Sequence, residues 1–344
     1  MILTGSLFHE AVRCVAIALM LVLPGAWAVQ AQTPPELERR PFLISSGPVG
    51  GSSMQLGEAI AITVSHPPGL GRCEGVGICG PKGLIATTRS SAGSVAGALG
   101  VARGNVQSAL LHGDILTAAA QGGGPFASEG PLKDLRVMAR LHDEALHFVV
   151  PASSRIRRLA DLRGRRIAVD AGSTDTAYTV RALLRAAGVS IPARNLRAMS
   201  VAEAAEALRT RKVSAAFVLG VAPMRALDPL FRRGELRLLP IGGRSLQRLK
   251  RTSPLYGTLR IPAGTYRSTG AVETLGVASV WVVHRSFDAA GVEQILRAFW
   301  ARENRRDIEA RVPFASGLDI RNAASVGGLP LHEGAKRFYG ARRP

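Results

Sequence analysis

The chain has 344 residues and a formal net charge of +19, too long for one small core and long enough for two domains of ordinary size. The excess is nearly all arginine, with only Lys82, Lys133, Lys212, Lys250 and Lys336 beside it. The arginines are scattered along the chain and not gathered into a stripe with aromatics, which argues against nucleic acid as a partner.

The first residues have the shape of an export signal. A short polar region with Arg13 precedes an apolar run over 14–23, then Pro24, and both Ala26-Trp27-Ala28 and Val29-Gln30-Ala31 fit a small-x-small cleavage rule. The run is too short to cross a bilayer, which takes about 20 apolar residues. Residues 1–31 therefore read as a signal peptide, leaving a mature chain of about 310 residues. Nothing later has the length and freedom from charge of a membrane helix.

After a Pro- and charge-rich leader the chain alternates. Residues 42–46 read as a strand, 47–53 as a Gly-rich loop, 54–64 as a helix, 84–88 as a strand, 93–102 as a helix and 108–111 as a strand. Cys73 and Cys79, the cysteines left after cleavage, sit in the run CEGVGIC. In an oxidising compartment they can close a small disulfide loop, whereas metal binding would need more ligands than the adjacent Glu74. Gly75, Gly77 and Gly80 match G-x-G-x-x-G, but no strand leads into them and Pro81 follows, so a dinucleotide role is rejected. His142, Asp143, Glu144 and His147 have the composition of a metal cluster without its spacing, and read as a polar turn before a strand at 147–150.

A strand at 167–169 then empties through a Gly-Ser-Thr loop into a helix marked by Val180, Leu183, Leu184 and Ala187. Ser200 and Glu203 form a capping box opening a helix to about Arg211. Strands follow at 215–219, 235–241 and 274–284, and helices at 288–302 and 333–339. Strands alternating with helices imply mostly parallel sheets covered on both faces.

Ligands in open α/β sheets bind at loops after strand C-termini. Three such loops are rich in Gly, Ser and Thr: Gly50, Gly51, Ser52 and Ser53; Arg89, Ser91 and Ser94; and Ser173, Thr174 and Thr176. Each precedes a predicted helix, whose first N–H groups are unpaired and lie at the positive end of the macrodipole. Together they point to a cleft for a small anion, with Arg89 as its charge partner. No G-x-S-x-G, H-E-x-x-H or P-loop pattern occurs, and no nucleophile is paired with an oriented base, so a non-enzyme without cofactor or metal is expected.

These segments resemble the solute receptors of tripartite ATP-independent periplasmic (TRAP) transporters, of the TAXI type. GPVGGSSMQLG is similar to that family's opening Gly-Gly-Thr-Gly-Gly-Thr-Tyr-Tyr-Pro-Leu-Gly loop. CGPKGLIATTRSSAGSVAGALG, LHDEALHFVV, the LxDLxGxxI turn, IPAGTY at 261–266 and PLHEGAKRFY at 330–339 continue the likeness in order over nearly all of the mature chain. Gly51, Ser94, Asp114 and Glu144 keep the family pattern, while Ser53 and Met54 replace its paired tyrosines and Arg89 and His112 stand at glutamine positions. The resemblance implies a type II periplasmic-binding-protein fold, α/β, with two lobes and a hinge: lobe one over 32–147 and 273–344, lobe two over 148–272, crossing near 147–152 and 261–273. It adds His112, Asp114 and Glu144 to the expected ligand set. It further implies a periplasmic protein that delivers a small carboxylate ligand to TRAP integral membrane subunits; a ligand-sensing receptor for a signalling partner is the alternative.

The signal reading has a direct consequence. Mass spectrometry of exported protein should find the mature N-terminus just after Ala28 or Ala31, and an intact leader on protein from the periplasm would contradict it.

Overall fold

The computed structural model describes residues 39–74, 77–170, 174–267 and 269–341. Residues 1–31, read above as a signal peptide, and Gly75 and Ser173 lie outside them. In chain order the main elements are β1 (Arg40–Ser45), α1 (Ser52–Val64), β2 (Leu84–Arg89), α2 (Ser94–Ala102), β3 (Ser108–His112), α3 (Gly113–Gln121) and β4 (Leu135–Pro151). Next come β5 (Ile167–Asp170), α4 (Thr174–Ala186), β6 (Leu196–Met199), α5 (Val201–Arg209), β7 (Ala215–Gly220), β8 (Leu236–Leu239), α6 (Gly243–Lys250) and β9 (Tyr256–Ile261). The chain closes with β10 (Val272–His284), α7 (Ala289–Trp300), α8 (Arg302–Arg311) and α9 (Glu333–Gly340).

Two strands carry the architecture, β4 with 17 residues and β10 with 13, well beyond the usual five or six. They run antiparallel to each other and change partners along their length. β4 pairs with β10 from Leu135 to Ala145, then with β7 from Ala145 to Val149 and β8 from Phe148 to Pro151. β10 pairs with β9 from Val272 to Val277 and with β3 from Ser279 to Val283. The strand path is therefore β2-β1-β3-β10-β4-β7-β5-β6. At one end β1, β2 and β3 are parallel; at the other β5, β6 and β7 are. The β4–β10 register shifts between Ala278 and Val280 and between Trp281 and Val282, the kind of irregularity that bends a strand from one sheet into another. This is a mixed α/β architecture in two lobes, joined by the crossing strands β4 and β10.

Each half of the sheet is buried on both faces because its strands are apolar at both parities. In the first lobe Trp281 and Val283 join Phe42, Ile44, Ile295 and Phe299 on one face, while Val280 and Val282 join Leu111, Ile115 and Leu116 on the other. In the second, Leu146, Phe148 and Val150 pack with Val180, Leu183 and Phe217, and Val149 packs with Leu208, Val218 and Phe231 on the opposite face.

Local expectations meet the structure with two corrections of note. The capping box is present: Ser200 Oγ accepts from Glu203 N at 3.3 Å and Glu203 Oε2 accepts from Ser200 N at 2.7 Å. Cys73 and Cys79 are joined, their Cα atoms 5.7 Å apart. His142, Asp143 and Glu144, however, form no turn. They lie inside β4, where Asp143 and Glu144 pair with Ala278 and Val277; a strand that buries polar side chains lacks the alternation by which strands are recognised. The helix expected over 288–302 ends at Trp300, Ala301 is extended at φ −60° and ψ 139°, and α8 begins a second helix.

The IPAGTY segment has a structural role. Tyr266 is wholly buried, its hydroxyl accepting from Met224 N at 2.8 Å and facing His147 Nε2 at 3.0 Å, while His147 Nδ1 lies 2.9 Å from the Ala145 carbonyl. With Nδ1–H donating to Ala145, Nε2 is left to accept from Tyr266, and burial drives the ring's pKa down to about 4. Tyr266→Phe would leave Met224 N and His147 Nε2 unpartnered at a cost of about 1–3 kcal/mol. Urea denaturation of that variant should show a lower midpoint at unchanged m; an unshifted midpoint would deny the network its role.

Candidate functional site

The ends of β1, β2 and β3 and the middle of β4 deliver the first lobe's polar residues to one place, and α4 and β9 bring the second lobe's residues against them. β3 ends at His112, which sits at the N-terminus of α3, with Asp114 in that helix's first turn. Gly93, at φ 109° and ψ −167°, adopts a conformation only glycine takes readily, and it turns the chain so that Ser94 opens α2 with its N–H free of helical bonding.

That N-terminus holds a carboxylate, and the carboxylate belongs to the chain itself. Ser94 N donates to both oxygens of Asp175 at 3.1 and 2.8 Å, and Ser94 Oγ donates to Asp175 Oδ2 at 2.5 Å. His112 N donates to Ser94 Oγ at 2.8 Å, which directs the hydroxyl proton toward Asp175. The anion that sits at this loop in the structure is the side chain of a residue from α4.

Beside it, the His112 ring bridges two carboxylates. Its Nε2 is 3.1 Å from Glu144 Oε2 and its Nδ1 3.4 Å from Asp175 Oδ2. The second contact is ionic without hydrogen-bond alignment, and Nδ1 has no hydrogen-bond partner although it is buried. Glu144 also receives Ser52 Oγ, and His142 Nε2 at 3.3 Å. Asp114 accepts from Thr179 Oγ1 at 2.5 Å, Tyr256 OH at 2.8 Å and Ile115 N at 2.9 Å. Three of these links, Asp175 to Ser94, Thr179 to Asp114 and Tyr256 to Asp114, tie one lobe to the other.

Burial alone would strip the proton from His112. The charge and hydrogen bond of Glu144, with the charges of Asp175 and Asp114, outweigh it and hold the pKa at about 10. Burial likewise opposes ionisation of Glu144, but His112 by charge and hydrogen bond, with His142, holds it well below the usual carboxylate range. Asp114 is raised, chiefly by burial, against the pull of His112, Thr179 and Tyr256. Tyr256 is raised by burial and by Asp114, so its hydroxyl remains a donor. The cluster is an imidazolium clasped by carboxylates.

The candidate residues divide. Ser52, Ser94, His112, Asp114 and Glu144 come together. Ser91 ties the first two loops, its Oγ accepting from Gly47 N at 3.2 Å, and Thr176 is buried in α4. Gly51 is the N-cap of α1, Ser53 lies in that helix's first turn, and Thr174 opens α4. Gly50 is exposed in the opening loop and Arg89 at the end of β2. Sequence reading missed Asp175, Thr179, Tyr256 and His142 as members. An acid in a helix's first turn is so common a complement to the macrodipole that Asp175 gave no signal of a partner elsewhere. Among the described residues no group of three or more His, Cys, Asp or Glu is arranged to hold a metal, and no helix is long and apolar enough to cross a membrane.

These shifts set a pH profile. His112, raised from 6.5 to about 10, contributes stability that is fully present below pH 6.5 and is lost as pH rises through 10. His147, lowered from 6.5 to about 4, contributes stability present above pH 6.5 and lost as pH falls through 4, and Glu144 adds a loss further into acid. Thermal melts should peak near pH 6.5, and His112→Gln should flatten the alkaline limb and reduce the Glu144 part of the acid limb while leaving the His147 part. An equal alkaline slope in that variant would remove His112 from the explanation.

Solved structures similar to this chain include a TctC solute binding protein from Polaromonas, at 19% identity over 81% of this chain and 90% of that one with a TM-score of 0.48. XAC2383 from Xanthomonas citri matches at 14% identity over 80% of this chain and 97% of that one, TM-score 0.47. The periplasmic aliphatic sulphonate binding protein SsuA from Escherichia coli matches at 15% over 89% and 84%, TM-score 0.43. The model of the NMT1-like family matches residues 44–340, from the end of β1 to the end of α9, and the chain therefore belongs to the NMT1-like family.

Proposed function

We propose that this chain is a periplasmic solute-binding receptor, of the TAXI type, that captures a small carboxylate between its lobes and delivers it to the integral membrane subunits of a TRAP-type secondary transporter. The observation that carries the reading is the Asp175 carboxylate seated on Ser94 N and Ser94 Oγ beside His112. A pocket that holds a tethered carboxylate has the donors to hold a free one, once the second lobe swings away and takes Asp175 with it. His112 Nδ1, buried and without a hydrogen-bond partner, is the donor that a free carboxylate could reach better than Asp175 does. Lobe one is taken as 32–147 and 273–344 and lobe two as 148–272, hinged where β4 and β10 change partners. Arg89, exposed beside the cleft loops, serves to attract anions from solution, and His112 supplies the cation at the site.

Binding without turnover fits the same geometry. Ser94 Oγ donates to a carboxylate and Ser52 Oγ to Glu144, so neither hydroxyl has a histidine base within its hydrogen-bond pattern.

Mass spectrometry of protein purified under native conditions should identify a carried carboxylate, and calorimetry with that compound tests the site. His112→Gln should weaken binding roughly ten- to a hundredfold, the worth of one charge-assisted bond of about 1.5–3 kcal/mol. Asp175→Asn, which loosens the resident competitor, should strengthen it, and the compound should be recovered unaltered. Unchanged affinity in His112→Gln sinks the site; a converted product would make the chain an enzyme.

A further inference from the structure

The second lobe has another opening, at its far pole. β5 and β7 start side by side at Ile167 and Ala215, and β4 ends nearby at Pro151, so their outer ends lie away from the strand ends that lead into the cleft. A pocket of about 570 Å³ lies there, lined by Ser153, Ser154, Arg155, Arg165, Arg211 and Ser214, within the size range of small-ligand sites.

Its charge is one-sided. Asp161 is the acidic residue of the lining, and its carboxylate is already engaged, by Arg157 N at 2.9 Å, Arg158 N at 3.2 Å and Arg158 Nε at 3.4 Å. Two more guanidiniums brace the wall: Arg237 donates to the carbonyls of Ser154 and Ile156 at 2.9 Å each, and Arg157 to Ser154 O at 2.6 Å. Arg237 Nε is buried without a hydrogen-bond partner, and burial together with the like charge of Arg157 lowers its pKa. The positive charge gathered here therefore exceeds what the chain's own carboxylates answer.

A second observation comes from the backbone. Arg211 has φ 59° and sits just past the end of α5, where Arg211 N bonds to Leu208 O at 3.1 Å and Lys212 N to Ala207 O at 2.8 Å. This is the left-handed helix end at which glycine is favoured. The chain keeps an arginine there against local preference, and its side chain lines the pocket.

We propose that this pocket is a second ligand site, separate from the cleft, for a phosphate-type oxyanion held by Arg155, Arg165 and Arg211 with the serine hydroxyls. Guanidinium forks pair bidentately with oxyanions, and three arginines lining one pocket suit a tetrahedral group with several acceptor oxygens better than a planar carboxylate. The phosphate can be free in solution or part of a lipid headgroup.

Calorimetry of the intact mature chain with inorganic phosphate and with pyrophosphate, and co-sedimentation with phosphatidylglycerol-containing or pure phosphatidylcholine vesicles, tests the proposal and separates the two sources. Saturable binding of a free anion at one per chain, or sedimentation that requires phosphatidylglycerol, is expected, reduced at least tenfold in Arg165→Gln/Arg211→Gln. The charge-matched control Arg302→Gln/Arg306→Gln and the cleft variant His112→Gln should bind as the parent does. Arg211→Gly gives the sharpest reading: it should raise Tm by about 2 °C by relieving the left-handed backbone while lowering affinity several-fold. Absence of binding in both formats, equal loss in the charge-matched control, or loss in His112→Gln would each overturn the site.

Discussion

The contact on which the rest of the site depends is the Asp175 carboxylate at the start of α2. Asp114, Glu144 and Asp175 are almost wholly buried with His112, and buried charges are tolerated only where pairing and hydrogen bonds offset their lost hydration. Each carboxylate meets that condition through donors fixed by the fold: a helix N-terminus for Asp175, hydroxyls for Asp114, and imidazoles with a serine for Glu144. Removing Asp175 from Ser94 leaves His112 facing one carboxylate fewer and a helix N-terminus open. The closed arrangement is therefore electrostatically complete only while some anion occupies that position.

The same cluster lies where the long strand β4 changes partners. Glu144 lies on β4 next to Ala145, the residue at which that strand passes from β10 to β7. On β10 the change from β9 to β3 falls between Val277 and Ser279, one residue past Gly276, which pairs with Gly257 of β9. Neither glycine carries a side chain there, and Leu259 of β9 packs over Gly276 instead. In the proposed hinge motion, a rotation about this line would move α4 relative to α2 and act on the Asp175 link, because Asp175 lies on α4 and Ser94 on α2.

What could be read from the sequence followed from local chemistry. The strands at 167–169 and 215–219, the Ser200 capping box and the disulfide are each determined by residues within a few positions of one another, and all are present. The continuity of β4 was hidden because His142, Asp143 and Glu144 interrupt its apolar run, and only the first lobe's cleft loops make such residues acceptable inside a strand. Arg89 drew attention because its charge is fixed, whereas the cation in the cluster is a histidine whose charge exists only through Glu144 and Asp175. Side chains such as Thr179 and Tyr256, which reach Asp114 from far along the chain, carry no sequence mark at all.

Under the proposed receptor function, the tethered Asp175 sets a threshold on what the cleft accepts. Asp175 is tethered, so its effective concentration at Ser94 is far higher than that of a free solute of the same chemistry, and a ligand's apparent affinity is reduced by the fraction of chains in which the position is open. A simple monocarboxylate reproduces only the contacts Asp175 already makes and gains little by replacing it. A solute that also engages His112 Nδ1, or that satisfies Asp114 when Thr179 and Tyr256 withdraw, adds interactions the tethered carboxylate cannot supply. Selectivity in this cleft then arises from groups beyond the shared carboxylate, because the carboxylate contact itself is nearly cancelled by the one it displaces.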